Sequence, residues 1–106
     1  MIMRTEKELQ ELYKDAMEFW GFRKQARMVQ EECAELILAT SHHLRKRAKG
    51  EEEMIEELGD VYLMTQQMMA YFGPERIMEI VDYKSERTKA KLDRYKKMRE
   101  KKQNGN

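Results

Sequence analysis

The sequence has little of what interrupts or cross-links a chain. Its 106 residues include one proline, five glycines and one cysteine. A single cysteine excludes an internal disulfide, and scarce proline and glycine leave long segments without turn signals. Aromatic residues make up 8% of the chain and charged residues 39%, which suits long amphipathic helices better than a sheet. We therefore expect an all-α protein.

Long apolar runs are also lacking. None approaches membrane-spanning length, and residues 1–6 become polar too early for a signal peptide. We expect a soluble, cytoplasmic protein with no membrane partner. A chain of this length is expected to form one domain, residues 1–102, followed by a frayed tail, residues 103–106.

Hydrophobic spacing, caps and breakers predict an antiparallel bundle of about four helices. Thr5 is expected to cap the first helix, Gly21 to end it, Gly50 to break the chain and Pro74 to open the fourth helix. Basic residues 45–47 are expected in the last turn of the second helix. The four expected helices cover residues 5–20, 22–49, 51–72 and 74–102.

The fourth predicted helix extends beyond what one small bundle can cover, and ten methionines give the helix faces unusual adaptability. We predict a homo-oligomer, either a homodimer or a homotetramer. Met64, Met68 and Met69 are expected in the core or at a subunit interface.

Two acidic segments share one pattern. Residues 30–36 (QEECAEL) and 55–61 (IEELGDV) each place two carboxylates before an apolar residue, a small residue, a third carboxylate and an apolar residue. On a helix, Glu32 and Glu35 lie about 60° apart, as do Glu57 and Asp60. If the two helices pack antiparallel, four carboxylates converge, and cations or protons must relieve their repulsion.

Each acidic pair is expected to border an apolar arc that faces the core. Cys33 lies on the first arc and is expected to be a small core residue, not a nucleophile. The arcs consist of Val29, Cys33, Leu36, Ile37 and Thr40 on one helix, and Leu58, Val61, Tyr62, Thr65 and Met69 on the other.

The paired motifs resemble those of the MazG-like nucleoside triphosphate pyrophosphohydrolases, members of the all-α NTP pyrophosphatase superfamily. The resemblance extends from about Trp20 to Arg94 and is most specific at residues 31–36 and 56–62, where the run Glu-Leu-Gly-Asp is typical of the family. It implies magnesium-dependent cleavage of a (deoxy)nucleoside triphosphate between the α- and β-phosphates. The products are a nucleoside monophosphate and pyrophosphate, and the implied role is control of a nucleotide pool.

The resemblance also implies roles for individual residues. The metal ligands would be Glu32, Glu35, Glu57 and Asp60. The resemblance leaves open which carboxylate takes a proton from water, and our own choice is Glu35. A set of carboxylates without histidine suits Mg²⁺, for which Mn²⁺ can substitute. The alternative without a function is that these carboxylates are solvated charges on helix faces.

The substrate contacts implied by the family lie outside the motifs. Lys84 and Arg87, one turn apart, correspond to the segment that approaches the phosphates, although such residues on a basic helix are more often solvated. Trp20 and Gln25 correspond to part of the nucleobase pocket. From its spacing alone, Trp20 is as well explained as a core aromatic of the first helix.

Two adjacent histidines, His42 and His43, raise a transition-metal alternative. Neither follows a glutamate of the cluster at the i, i+3 spacing of di-iron bundles, which disfavours a ferritin-like oxidase. Both are expected to face solvent.

Two rival functions remain open. One is a phosphoribosyl-ATP pyrophosphohydrolase, an enzyme of histidine biosynthesis with a similar acidic pattern. The other is a non-catalytic interaction module, in which residues 84–102, with ten Lys and Arg residues against three acids, bind nucleic acid. The complete set of four carboxylates favours an enzyme and disfavours nucleic acid as a partner.

Overall fold

A computed structural model describes residues 3–105, and the regular structure in this range is entirely helical, which confirms the all-α expectation. The helices are α1 (Glu6–Trp20), α2 (Phe22–Leu44), α3 (Gly50–Phe72) and α4 (Pro74–Gln103). The chain divides into two compact units: one contains α1, α2 and α3 and ends at Gly73, and the other is α4 with the residues that follow it.

The helix α1 begins and ends at the residues that the sequence predicts. The Thr5 hydroxyl accepts a hydrogen bond from the Glu8 N–H at 3.1 Å, and the Glu8 carboxylate accepts one from the Thr5 N–H at 3.0 Å. This reciprocal capping box satisfies two backbone donors at the helix start. At the other end Gly21 has a φ of 85°, a conformation that glycine adopts without strain.

The helices α2 and α3 form an antiparallel pair with the most extensive contact between helices in the first unit. Each presents a row of buried or half-buried residues spaced seven apart. We call these two rows together the seam; it consists of Gln25, Glu32 and Ala39 on α2 and Gly50, Glu57 and Met64 on α3. The antiparallel direction follows from contacts at both ends, where His42 meets Glu53 and Gln25 meets Gln67.

The prediction that α2 continues to about Lys49 is wrong, since the helix ends at Leu44. Lys46 and Lys49 have φ values of 56° and 63°, in the left-handed region, so the chain turns sharply between the two helices. Residues 45–47 therefore follow the helix instead of forming its last turn.

Gly50 is not a breaker but the first residue of α3, and it is buried. A Cβ at this position would lie 2.9 Å from the His43 Cα, so only glycine lets the start of α3 approach the end of α2 this closely. The opposite end of the pair is packed by aromatic rings: Phe22 stacks on Tyr71 with 4.8 Å between ring centroids and meets Phe72 edge-on.

The apolar core of the described residues is small. It consists of Tyr13, Ala16 and Met17 from α1, Ala39 from α2 and Met64 from α3. The predicted apolar arcs are only partly correct, because Ile37, Leu58 and Tyr62 are exposed while the other arc residues are half-buried. The reason is that the seam runs through Glu32 and Glu57 themselves, which rotates the arcs towards solvent.

The helix α4 opens at Pro74 as predicted and has no buried residue. Every described residue from Met78 onwards is exposed. Of the predicted tail, Gln103 still belongs to the helix, Asn104 and Gly105 form a turn, and Asn106 lies outside the described residues. Between residues 3 and 105, none of the helices combines the length and the apolar character needed to cross a membrane.

We expect Gly50→Ala to lower the free energy of unfolding by about 1–3 kcal/mol, because the added methyl group overlaps the backbone at His43. The matched control is Gly59→Ala in the same helix, where the methyl group meets nothing within 4 Å. That change should raise stability by up to about 1 kcal/mol. Urea unfolding of both variants measures the two effects, and equal responses would contradict the close packing at Gly50.

Candidate metal centre

Three carboxylates meet in the middle of the seam between α2 and α3. One oxygen from each of Glu32, Glu35 and Glu57 can be chosen so that all three lie within 4.8 Å of one another. Glu32 and Glu35 come from successive turns of α2, and Glu57 comes from the facing turn of α3. The antiparallel pairing of the helices therefore brings the two acidic motifs together.

Two of these side chains carry buried oxygens to which no described residue donates a hydrogen bond. Glu32 Oε2 and Glu57 Oε2 are buried and have no hydrogen-bond partner among the described residues. A charged oxygen removed from water is strongly destabilising unless it is paired or bonded. Glu35 is exposed, so the cluster has a side that is open to solvent.

The environment raises the pKa of both buried glutamates. For Glu57, burial, followed by the charges of Glu35, Asp60 and Glu32, raises the pKa to about 7. For Glu32, burial together with the charges of Asp60 and Glu35 raises the pKa above its ordinary value. Desolvation and like charges both disfavour the ionised form, so without a cation Glu32 and Glu57 keep their protons to a higher pH than a free glutamate does.

Asp60, the fourth predicted ligand, lies beside the cluster. It is half-buried, and its charge acts on both Glu32 and Glu57. Its oxygens do not belong to the group of three that lie within 4.8 Å. The structure thus brings Glu32, Glu35 and Glu57 together as candidate ligands and places Asp60 as an adjacent negative charge.

No basic side chain neutralises these carboxylates within residues 3–105. The ion pairs of this range join His42 with Glu53 and Lys89 with Asp93, and neither pair involves the cluster. A cation from solution is the remaining way to compensate the charge while the glutamates are ionised.

The residues present fit Mg²⁺. Hard divalent cations prefer carboxylate oxygens, and Mg²⁺ usually keeps several waters beside one or two carboxylates. Opposite ligands of one Mg²⁺ lie about 4 Å apart. Small side-chain rotations would therefore bring the three carboxylate oxygens, which lie within 4.8 Å of one another, to ligand distances. The exposed side at Glu35 leaves room for waters or phosphate oxygens. Mn²⁺ takes similar ligands and fits the same site.

The predicted phosphate contacts, Lys84 and Arg87, lie one turn apart on α4, and both are exposed. The Arg87 guanidinium lies 5.9 Å from the centroid of the Tyr83 ring, within the range of a cation–π contact. Their role towards phosphate stays a prediction.

The two residues predicted for the nucleobase pocket have opposite environments. Trp20 lies at the end of α1 and is 48% exposed, and the Lys24 ammonium lies 5.8 Å from its ring centroid. It is therefore not a buried core residue of α1, which was the alternative that its spacing suggested. Gln25 is only 4% exposed, and its amide donates a 2.6 Å hydrogen bond to the Gln67 oxygen. Trp20 is therefore open to stack on a base, whereas Gln25 joins α2 to α3.

Two contacts that support the site were not predicted. Gln67 lies ten residues after Glu57 and directly follows Thr65 and Gln66, so nothing in the sequence singled it out for its pairing with Gln25. His42 was expected to face solvent, but it is half-buried, and its Nδ1 lies 2.9 Å from Glu53 Oε2. His43 is exposed, as expected.

Comparison with protein-family models, with curated proteins and with solved structures finds no match to this chain. The resemblance to MazG-like enzymes therefore rests on the two acidic motifs, and the site must be judged on its own geometry.

Without divalent cations, we expect stability to fall as the pH rises from about 4.5 to above 7, because the folded state holds the Glu57 proton that the unfolded chain releases at lower pH. Thermal unfolding in EDTA across this range measures the slope. Glu57→Gln should flatten it, since a neutral amide has no proton to lose.

Glu56→Gln is the matched control for this pH dependence. Glu56 is the exposed neighbour of Glu57 in the same helix turn, so its substitution should leave the slope unchanged. A slope that is the same in the parent protein and in Glu57→Gln would contradict the raised pKa of Glu57.

Proposed function

We propose that this protein is a Mg²⁺-dependent nucleotide pyrophosphohydrolase of the MazG-like type. Its reaction would use one water to break the P–O–P bond between the α- and β-phosphates of a (deoxy)nucleoside triphosphate. The products are a nucleoside monophosphate and pyrophosphate, and the activity would limit a nucleotide pool.

The observation that carries this proposal is the group of three carboxylates in the seam with two unsatisfied buried oxygens. A cluster kept only for packing would be more stable as an apolar layer, because like charges at this distance repel and desolvation adds to the penalty. The cluster makes physical sense as a cation site, and a cation held by a few carboxylates is how proteins commonly recognise nucleotide phosphates.

The side chains divide the work by their exposure. Glu32 and Glu57, with their buried oxygens, would hold the ion at the floor of the site, and Asp60 would add negative charge beside them. Glu35 is exposed next to them, where substrate and water arrive, so we assign it as the base that takes the proton from the attacking water. When bound, Mg²⁺ supplies charge neutralisation of the phosphates and acidifies water.

Groups that recognise the substrate would lie outside the cluster. Lys84 and Arg87 are exposed cations that would bind phosphate oxygens, and Arg in particular pairs with phosphate through two parallel hydrogen bonds. Trp20 offers an exposed ring at the end of α1, beside Lys24, and a nucleobase stacks well on such a surface.

We also propose that the enzyme is a homo-oligomer, a dimer or a tetramer. The apolar core of the described residues is small, while many large apolar side chains on α2, α3 and α4 remain exposed. Exposed apolar surface on this scale usually marks an interface.

Glu57→Gln should lower the rate of pyrophosphate release by about 100-fold or more, because it removes a charged ligand from the floor of the site. The assay measures pyrophosphate from ribo- and deoxyribonucleoside triphosphates and from phosphoribosyl-ATP, with Mg²⁺, Mn²⁺ or EDTA. Glu56→Gln, the exposed neighbour, should retain the parent rate. Absence of metal-dependent release from every substrate would overturn the proposal.

Glu35→Gln should lower kcat by about 10²- to 10⁴-fold if Glu35 takes the proton from water. The loss should shrink as the pH rises, since hydroxide then replaces the missing base. Glu31→Gln, one turn away and also exposed, is the matched control. A loss that is the same at every pH would assign Glu35 to metal binding alone.

A further inference from the structure

The charges of α4 are sorted onto different sides of the helix. At about 100° per residue, its six acidic residues fall within a sector of about 60°. A separate sector of about 100° contains no acidic residue and includes five cations, spaced three, four or seven residues apart. We call these five residues the cationic face; they are Lys84, Arg87, Lys91, Arg94 and Lys101.

None of these five cations forms an ion pair within residues 3–105. The ion pair on α4 joins Lys89 with Asp93, outside the cationic face. All five side chains are exposed, and four of them line an open groove on the helix surface together with Thr88 and Ala90. The positive charges therefore face solvent in a continuous row.

Such a row is unfavourable for an isolated helix. From Lys84 to Arg94 the cations follow one another at three or four residues, and like charges at this spacing destabilise a helix. The helix also holds the row straight, so that it extends about 26 Å from Lys84 to Lys101. A partner with closely and regularly spaced negative charges would relieve this repulsion.

The backbone of a double-stranded nucleic acid has this regular spacing of negative charge. A duplex carries one phosphate charge per about 1.7 Å of its axis, and the row is as long as about seven or eight base-pair steps. Lysine and arginine bind phosphates without reading the base sequence. Because a duplex is stiff over this length, binding to a straight helix does not require it to become ordered.

Two other kinds of anionic partner fit α4 less well. Single strands bind by stacking bases on aromatic rings, but the rings of Tyr83 and Tyr95 have arginine guanidinium groups 5.9 and 5.7 Å from their centroids. An anionic membrane binds helices that have a broad apolar face rich in Trp, Phe and Leu. The helix α4 has no Trp or Phe and a single leucine, Leu92.

We propose that the cationic face of α4 binds the phosphate backbone of a double-stranded nucleic acid without sequence preference. The carboxylates that disfavoured nucleic acid as a partner lie on α2 and α3, whereas this surface belongs to α4 alone. The binding is independent of the proposed reaction, since it needs neither Mg²⁺ nor a nucleotide. Lys84 and Arg87 would also contact the triphosphate, so the variants below leave both unchanged.

Fluorescence anisotropy of a labelled DNA duplex of about 20 base pairs, which is longer than the row, measures the binding in EDTA. Five phosphate contacts predict that the logarithm of the affinity falls with the logarithm of the salt concentration with a slope of about −4 to −5. Lys91→Gln with Arg94→Gln should weaken binding at low salt by about tenfold or more and reduce the size of the slope by about 2.

The matched control is Lys89→Gln with Lys96→Gln, which removes the same charge from the opposite side of α4. It should keep the parent slope and bind more tightly than the first variant. Circular dichroism verifies that both variants keep their helices. Equal losses in the two variants would show that net charge alone attracts the duplex, and would overturn the proposal.

Three results with the parent protein would also overturn it. The first is no binding to the duplex at low salt. The second is tighter binding to a single strand of the same sequence, which would assign the surface to unpaired nucleic acid. The third is binding to phosphatidylserine vesicles but not to the duplex, which would assign it to a membrane.

Discussion

Repulsion between carboxylates in the seam of α2 and α3 is the constraint on which this structure depends. The seam has an apolar residue, Ala39 or Met64, on each helix, but its middle is formed by Glu32 and Glu57, whose outer oxygens are buried and unsatisfied. The penalty is reduced by protons, as the raised pKa values of both residues indicate, or by a cation. The middle of the interface is thus its least stable part until a ligand or a proton occupies it.

The two ends of the seam have the favourable packing and hydrogen bonding that its middle lacks. At one end the absence of a side chain at Gly50 lets α3 pack closely on His43, and at the other Gln25 and Gln67 share a buried hydrogen bond. These contacts fix the register of the helices, so the two motifs face each other although their charges oppose it. Because its flanks position the site in this way, a cation would bind there with little rearrangement of the backbone.

How far the sequence predicts this protein depends on whether the signal is local. The caps at Thr5 and Gly21 follow from residues within one turn, and the motif repeat correctly indicated which helices supply the carboxylates. The end of α2 could not be predicted, because left-handed conformations at Lys46 and Lys49 have no marker residue. Helical spacing placed Glu32 beside the core but could not show that it forms the seam. The environments of Trp20 and Gln25 depend on tertiary contacts, which cannot be predicted from the spacing of residues along the chain.

If the seam is a cation site, the most direct test is to locate the ion. Anomalous diffraction from crystals of the parent protein grown with Mn²⁺ locates the metal without reference to activity. We expect a peak bonded to oxygens of Glu32, Glu35 and Glu57. No peak in the seam, with α2 and α3 paired as described and Mn²⁺ absent or bound elsewhere, would show that the carboxylates are held by protons alone and would contradict the account.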